Sequence, residues 1–307
     1  MQTMKAICLP GPGADLELME IPVPKIDANE ALVAIRAFGV GLHDRYTMPG
    51  NIEFPYPIGL EGAGIVEEVG SAVTAFKRGD RVMITGMHPK GGTWAEYAAI
   101  HAQMLMPMPD GFDFQDAAAL PVAGNTALEG VKALHLRKGE TLFIGGSSGA
   151  IGTIAIQLAV RRGYRVAASA SPANHDYLRS LGVELPVDYR NPDWAAEIKE
   201  WVPGGVDAAL AIQRGTGQTS LAAVRDGGQV VTISGDQVRT ERNINVEQMM
   251  HGPDTRAEFL EMAADVASGK MRVAIEQVYP FAQAVAALEK TETGHARGKI
   301  IVTVGNR

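Results

Sequence analysis

The sequence has little of what disulfide-rich, nucleic-acid-binding or membrane-spanning proteins need. Its 307 residues include one cysteine, Cys8, so the chain cannot form an internal disulfide or a zinc site of several thiolates. Lys and Arg number 28 against 35 Asp and Glu, and no basic block offers a surface for nucleic acid or anionic lipid. No apolar run reaches the roughly 18 residues of a membrane span, and the N-terminus is too weakly apolar for a signal peptide. We therefore expect a soluble, cytoplasmic protein that acts on a small molecule, without nucleic-acid or membrane partners.

The pattern of hydrophobic residues changes near residue 119. Before it, short alternating runs such as 31–40 are separated by Gly and Pro, which indicates a small, mainly antiparallel β domain. After it, strands alternate with helical periods, which predicts a doubly wound parallel sheet. Asn191 and Pro192 are expected to cap and begin one of its helices. The elements that follow Met250 find no sheet partner from sequence order alone.

The segment GGSSGAIGTIAIQLA, residues 145–159, lies between a predicted strand and an amphipathic helix. Its glycines remove side chains where the backbone turns, where a ligand approaches it and where the helix closes on its strand. The free N–H groups of the first helical turn form an anion site, for which the diphosphate of a dinucleotide is the natural ligand. The spacing G-x-x-G-x-x-G alone is a weak signal, and the surrounding βα units strengthen it. The residues assigned to this loop are Gly146, Ser147, Gly149, Ala150, Ile151 and Gly152.

The end of the second predicted strand bears on the choice between NAD and NADP. In NAD-binding proteins an acidic side chain there, about 20 residues beyond the first glycine, binds the ribose 2′-hydroxyl. This chain has serines at 169 and 171 and no carboxylate between them, and hydroxyls can donate to a 2′-phosphate. We therefore predict NADP(H). The residues assigned to this pocket are Ser169, Ser171, Asn174 and Tyr189, with His175 and Arg190 as candidates that could equally be ordinary loop residues.

Longer segments match one enzyme family from end to end. They include GLEGAGIVEEVGSAVTAFKRGDRV (59–82), GGTWAEYAAI (91–100), DAAALPVAGNTALEGV (116–131) and, near the C-terminus, GHARGKIIVTV. In these segments the chain resembles the zinc-independent quinone oxidoreductase (zeta-crystallin-like) branch of the medium-chain dehydrogenase/reductase superfamily. The resemblance implies an α/β fold with two domains and an active cleft between them. A GroES-like, mainly β catalytic domain would span 1–118 and 253–307, and a Rossmann NADP-binding domain with a doubly wound parallel sheet would span 119–252.

The same resemblance bears on metal binding. Zinc-using relatives supply a cysteine near residue 41 and a His-Glu pair near residues 60 and 61, where this chain has Gly41, Leu60 and Glu61. The four-cysteine lobe of those relatives is absent, and the seven histidines show no close metal-ligand spacing. We therefore predict no metal.

Without a metal, the resemblance implies direct hydride transfer from a reduced nicotinamide. Thr126 matches a family position near the nicotinamide ring, and Ser234 and Gly235 are expected beside it. Tyr46, in GLHDRYTMPG, is the catalytic candidate because it matches a family tyrosine and its hydroxyl can donate to a developing oxyanion. Plainer alternatives stay open, since Thr126 could be an ordinary helix-start residue and Tyr46 a packing aromatic. Asp44 is expected to anchor the loop through backbone or arginine contacts.

The leading prediction is an NADPH-dependent, zinc-independent oxidoreductase that reduces quinones or α,β-unsaturated carbonyl compounds. The alternatives are an enoyl thioester reductase, for which no basic carrier patch is evident, and a non-catalytic NADPH-binding protein with a structural or sensory role. The second alternative stays open because Gly41 replaces an asparagine usual in the family and a second tyrosine near Asn51 is missing. A homodimer is predicted from QVVTISG (229–235), taken as an exposed edge strand.

Overall fold

The computed structural model describes residues 2–252, 255–294 and 296–305, and the chain divides into two units. The first unit joins Met1–Val122 to Leu260–Arg307, and the second is Ala123–Phe259. The domain boundaries expected from the sequence stay a prediction, and the one at 253 lies outside the described residues, as does His295. Within the described part of the chain, no helix combines the length and the apolar character needed to cross a membrane.

Strands and helices follow one another through both units. The strands are β1 (Thr3–Leu9), β2 (Glu17–Pro22), β3 (Glu30–Val40), β4 (Tyr56–Pro57), β5 (Glu61–Val69), β6 (Arg81–Thr85), β7 (Tyr97–His101), β8 (Leu105–Pro107), β9 (Thr141–Gly145), β10 (Arg165–Ser169), β11 (Leu185–Val187), β12 (Val206–Ala211), β13 (Val224–Thr232), β14 (Asn245–Gln248), β15 (Ile275–Pro280) and β16 (Lys299–Thr303). The helices are α1 (Phe114–Ala119), α2 (Pro121–Lys132), α3 (Ala150–Arg161), α4 (His175–Ser180), α5 (Trp194–Trp201), α6 (Thr216–Ser220), α7 (Arg256–Ala267) and α8 (Ala284–Glu292).

The first unit is built on two sheets of mainly antiparallel pairs. One has the order β2-β1-β4, and the other the order β15-β16-β3-β5-β6-β8, with β7 also paired to β3. Ile300 of β16 pairs with Val40 of β3, so the C-terminal segment completes the sheet begun near the N-terminus. The ring of Phe38 stacks on that of Trp94 in the core, with 5.1 Å between centroids. The pairing of β16 with β3, and of β15 with β16, supplies the sheet partners that sequence order did not reveal for the strands after Met250.

The second unit is a parallel sheet with the strand order β11-β10-β9-β12-β13-β14. Counted within the unit, this is the order 3-2-1-4-5-6 of dinucleotide-binding folds. All five residues of β9 are buried, as expected for a parallel strand covered on both faces. The order reverses between β9 and β12, and ligands in such sheets bind at the carboxyl ends of the strands on either side of that point.

Two local expectations were wrong. The segment 229–235 is not an edge strand, because β13 pairs with β12 on one side and with β14 on the other. The homodimer prediction therefore loses its support. Helix α5 begins at Trp194 with Asp193 as its N-cap, since the side chain of Asn191 instead accepts a hydrogen bond from the N–H of Asp193 in the preceding turn.

Candidate functional site

The glycine loop joins β9 to α3 at the carboxyl edge of the parallel sheet. Gly146 has a φ of +78°, and a Cβ there would lie 2.6 Å from Cβ of Gln213. A Cβ at Gly152 would lie 2.5 Å from the carbonyl oxygen of Ser147. At Gly149 the nearest atom to an added Cβ is 3.8 Å away. The fold itself therefore requires the first and last glycines, whereas Gly149 leaves its backbone open to a ligand.

The N-terminus of α3 provides unused backbone donors beside that opening. Its N-cap, Gly149, has no side chain with which to accept from the first N–H groups, and the first turn contains no acidic residue. Such a terminus favours an anion, because the N–H groups and the helix dipole both present positive charge. The side chain of Ser147 holds the loop on β10, because its hydroxyl donates to the carbonyl oxygen of Ser169 (2.7 Å).

Residues assigned to the 2′-phosphate gather at the end of β10. Ser169 is buried, the side-chain amide of Asn174 donates to the hydroxyl of Ser171 (3.2 Å), and His175 donates from Nε2 to the carbonyl oxygen of Ala170 (3.1 Å). Tyr189 is about half exposed. These groups therefore share one end of the sheet with the glycine loop.

The structure also places a carboxylate in this region, which the sequence interpretation missed. Val187 of β11 pairs with Ser169 of β10, so Asp188 follows next to Ala170. The guanidinium of Arg190 donates from Nε and Nη2 to the two carboxylate oxygens of Asp188, at 2.9 and 3.0 Å. The end of β10 carries no carboxylate, as the sequence predicts, but Asp188 at the end of β11 lies beside it. Knowledge of the β10–β11 pairing was needed to find Asp188.

The residues assigned to the nicotinamide lie on two further elements of the second unit. Thr126 is buried in α2, and Ser234 and Gly235 follow the end of β13. Gly235 has a φ of +70°, which a residue with a side chain rarely adopts. The carboxylate of Asp236 then accepts hydrogen bonds from the N–H groups of Gly215 and Gly217, both at 2.9 Å, and links the carboxyl ends of β12 and β13.

In the first unit, Tyr46 follows a 3-10 turn, Leu42–Arg45, and the residue is 73% exposed. Asp44 fixes this turn from beneath. The N–H of Gly41 donates to Oδ2 of Asp44 (2.7 Å), and the N–H of Leu60 donates to Oδ1 (2.9 Å). The expectation that Asp44 anchors the loop through backbone contacts is confirmed.

A buried ion pair lies behind the same turn. The ammonium of Lys299 contacts Oε1 of Glu61, and the N–H of Val122 donates to Oε2 (2.7 Å). Glu61 is 1% and Lys299 7% exposed. Burial raises the pKa of Asp44 to about 7, an increase that Glu61 supports and Lys299 opposes. A side chain at position 39 would displace this pair, because a Cβ there would lie 2.6 Å from Oε1 of Glu61 and 2.7 Å from Cε of Lys299.

Comparison with known proteins places the chain among oxidoreductases. A family model described as alcohol dehydrogenase GroES-like domain matches residues 27–110, and one described as zinc-binding dehydrogenase matches 181–302. The chloroplast envelope quinone oxidoreductase homolog of Arabidopsis thaliana is 31% identical over 313 residues, which cover 95% of each chain. The chain belongs to the quinone oxidoreductase branch of the medium-chain dehydrogenase/reductase superfamily.

Two other relatives support this membership. The chloroplastic NADPH-dependent alkenal/one oxidoreductase of Arabidopsis thaliana is 30% identical over 308 residues, covering 94% of this chain and 76% of that protein. The structure of a quinone oxidoreductase from Coxiella burnetii has a TM-score of 0.86 at 27% identity and covers 99% of this chain and all of that one. The superfamily binds nicotinamide cofactors, and both the resemblance and the GroES-like and Rossmann fold expected from the sequence are confirmed.

The zinc named in the family description does not fit the residues of this superfamily member. Gly41 and Leu60 carry no side-chain ligand, and Oε1 of Glu61 already contacts the ammonium of Lys299. Over residues 2–252, 255–294 and 296–305, no three His, Cys, Asp or Glu side chains come together in a group that could hold a metal ion. Glu61 stands where the zinc-using relatives have the glutamate of their His-Glu pair, and here the Lys299 ammonium neutralises it.

Proposed function

We propose that the protein is an NADPH-dependent oxidoreductase that transfers a hydride to a quinone or an α,β-unsaturated carbonyl compound without a metal. The observation that carries the proposal is the open N-terminus of α3 behind Gly149, at the carboxyl edge of a sheet with the dinucleotide-binding strand order. The substrate class follows relatives whose names specify quinone and alkenal/one oxidoreductases.

In this proposal the second unit binds the cofactor. The N–H groups of Ala150 and Ile151 donate to its diphosphate, and Ser171, Asn174 and Tyr189 face its 2′-phosphate. Thr126, Ser234 and Gly235 bound the nicotinamide, which supplies the hydride when the cofactor is bound. The chain itself contributes placement, because its free donors are fixed by the fold before the ligand arrives.

Tyr46 is proposed to act on the substrate oxygen. When a hydride adds to the β-carbon of an enone, the π electron pair moves to the carbonyl oxygen, and the Tyr46 hydroxyl donates a hydrogen bond to the charge that develops there. The exposed apolar side chains of Leu42 and Phe54, in the same loop region, suit an apolar substrate. Asp44 holds the start of the turn that precedes Tyr46 through its bonds from Gly41 and Leu60.

The test is consumption of NADPH with 9,10-phenanthrenequinone and with a simple enone, each in the presence of a chelator. We expect turnover that the chelator does not change. Binding of NADPH without turnover of any compound in a broad panel would favour the structural or sensory role instead. Loss of turnover on adding chelator would contradict the metal-free mechanism. The cytoplasmic location and the homodimer stay predictions.

A further inference from the structure

The ends of β10 and β11 form one surface in the second unit. Ser169 and Val187 are paired residues, and the N–H of Ala170 donates to the carbonyl oxygen of Val187 (3.0 Å). Neighbouring strands lie about 4.8 Å apart, so Asp188 extends from the position beside the Ala170–Ser171 segment. That segment is where a dinucleotide-binding sheet distinguishes a ribose 2′-hydroxyl from a 2′-phosphate.

Asp188 and Arg190 neutralise each other at this surface. Asp188 accepts three hydrogen bonds from Arg190: from its N–H at 3.1 Å, from Nε at 2.9 Å and from Nη2 at 3.0 Å. The guanidinium also lies 6.0 Å from the ring centroid of Tyr189. The Arg190 bonds hold the pKa of Asp188 below its usual value, and nearby His175 adds a smaller lowering effect. The carboxylate is therefore ionised at neutral pH, and the pair has no net charge.

A neutral ion pair has opposite consequences for the two nicotinamide cofactors. A 2′-phosphate carries close to two negative charges, so it is attracted by Arg190 and repelled by Asp188. A free 2′-hydroxyl is a donor, and a carboxylate in this region can accept from it. The Arg190 donors that Asp188 does not use can still bind the phosphate. Asp188 nevertheless cancels the net positive charge by which an unpaired arginine would favour NADPH over NADH.

We propose that Asp188 is a specificity-determining residue, which reduces the preference for NADPH over NADH by neutralising Arg190 and by placing a carboxylate beside Ser171. This inference rests on the proposed function, since it assigns the 2′ group of the cofactor to the surface formed by Ser171, Asp188 and Arg190. It predicts that the natural protein accepts both cofactors and that the preference is restored by removing a single negative charge.

The experiment measures the dissociation constants of NADPH and NADH by fluorescence titration of the full chain and three variants. Asp188→Asn removes the charge and keeps an acceptor oxygen. Asp188→Asn with Arg190→Gln removes both charges. Asp226→Asn is the matched control, because Asp226 is an exposed partner of Arg242 near the start of β13, at the amino edge of the sheet.

We expect Asp188→Asn to shift the ratio of the two constants toward NADPH by about tenfold, the effect of removing one charge a few ångströms from a phosphate dianion in a solvent-exposed setting. The double variant should lose that gain, and Asp226→Asn should leave the ratio unchanged. An unchanged ratio in Asp188→Asn, with both cofactors still bound, would overturn this inference alone. Failure of the natural protein to bind either cofactor would overturn the proposed function together with it.

Discussion

Replacing Lys299 with methionine tests the buried ion pair most directly. Methionine has a similar volume but no charge, so Glu61 would keep its hydrogen bond from Val122 and lose its cation, while remaining 1% exposed. Removing one partner of a buried pair costs about 3–5 kcal/mol, because the remaining charge cannot be solvated. We expect Lys299→Met to lower the free energy of unfolding by an amount in that range, measured by urea unfolding followed by circular dichroism.

Two further variants separate the loss of charge from the loss of packing. In Glu61→Gln with Lys299→Met no unpaired charge remains, and stability should return to within about 1–2 kcal/mol of the natural protein. Lys77→Met is the exposed control: Lys77 contacts Asp80 at 2.7 Å but its side chain is 83% exposed, so the expected loss is below about 1 kcal/mol. A Lys299→Met variant as stable as Lys77→Met, or a double variant no better than Lys299→Met, would refute the reasoning.

Three other predictions concern the loop, the tyrosine and pH. Gly149→Ala should melt at the same temperature as the natural protein, since an added Cβ meets nothing within 3.4 Å, but it should bind NADPH more weakly. Gly152→Ala should also lose about 1–3 kcal/mol of stability, because its added Cβ would overlap the backbone of Ser147. Equal NADPH affinity in Gly149→Ala and the natural protein would contradict the proposed diphosphate site. Tyr46→Phe should lower kcat by about 10² with the NADPH dissociation constant unchanged, and Tyr279→Phe is the control; an unaffected kcat would leave Tyr46 a packing residue. The pKa of Asp44 is about 7 in the folded state and near 3.8 when unfolded. Its stabilising effect is therefore full below about pH 4 and is lost as pH rises to 7, so the natural protein should lose stability relative to Asp44→Asn between about pH 4 and pH 7. The opposite slope would contradict the raised pKa of Asp44.

Features with a local signal were predictable from the sequence. The glycine loop is predictable because Gly146 and Gly152 meet geometric requirements within one βα unit, and the parallel sheet because a central strand such as β9 is buried along its whole length. Anchoring by Asp44 was foreseen because a short acidic side chain beside a turn tends to bond to nearby backbone.

Features that depend on distant pairing were not predictable. The edge strand β14 has the sequence NVEQ, which is too short for a clear alternation, and only its pairing with β13 identifies it. Asp188 lies beside the segment assigned to the 2′ group of the cofactor because β11 pairs with β10. The order of strands in the sheet decides this, and it cannot be deduced from the local sequence. Glu61 and Lys299 begin strands near opposite ends of the chain, and each by itself resembles an ordinary surface charge.

The central claim is that the N-terminus of α3 binds the diphosphate of a nicotinamide dinucleotide. The most direct measurement is a crystal structure of the protein with saturating NADP⁺. The claim predicts diphosphate oxygens within hydrogen-bonding distance of the N–H groups of Ala150 and Ile151, next to Gly149. Density for the cofactor elsewhere, or none at this helix terminus at saturating concentration, would contradict it.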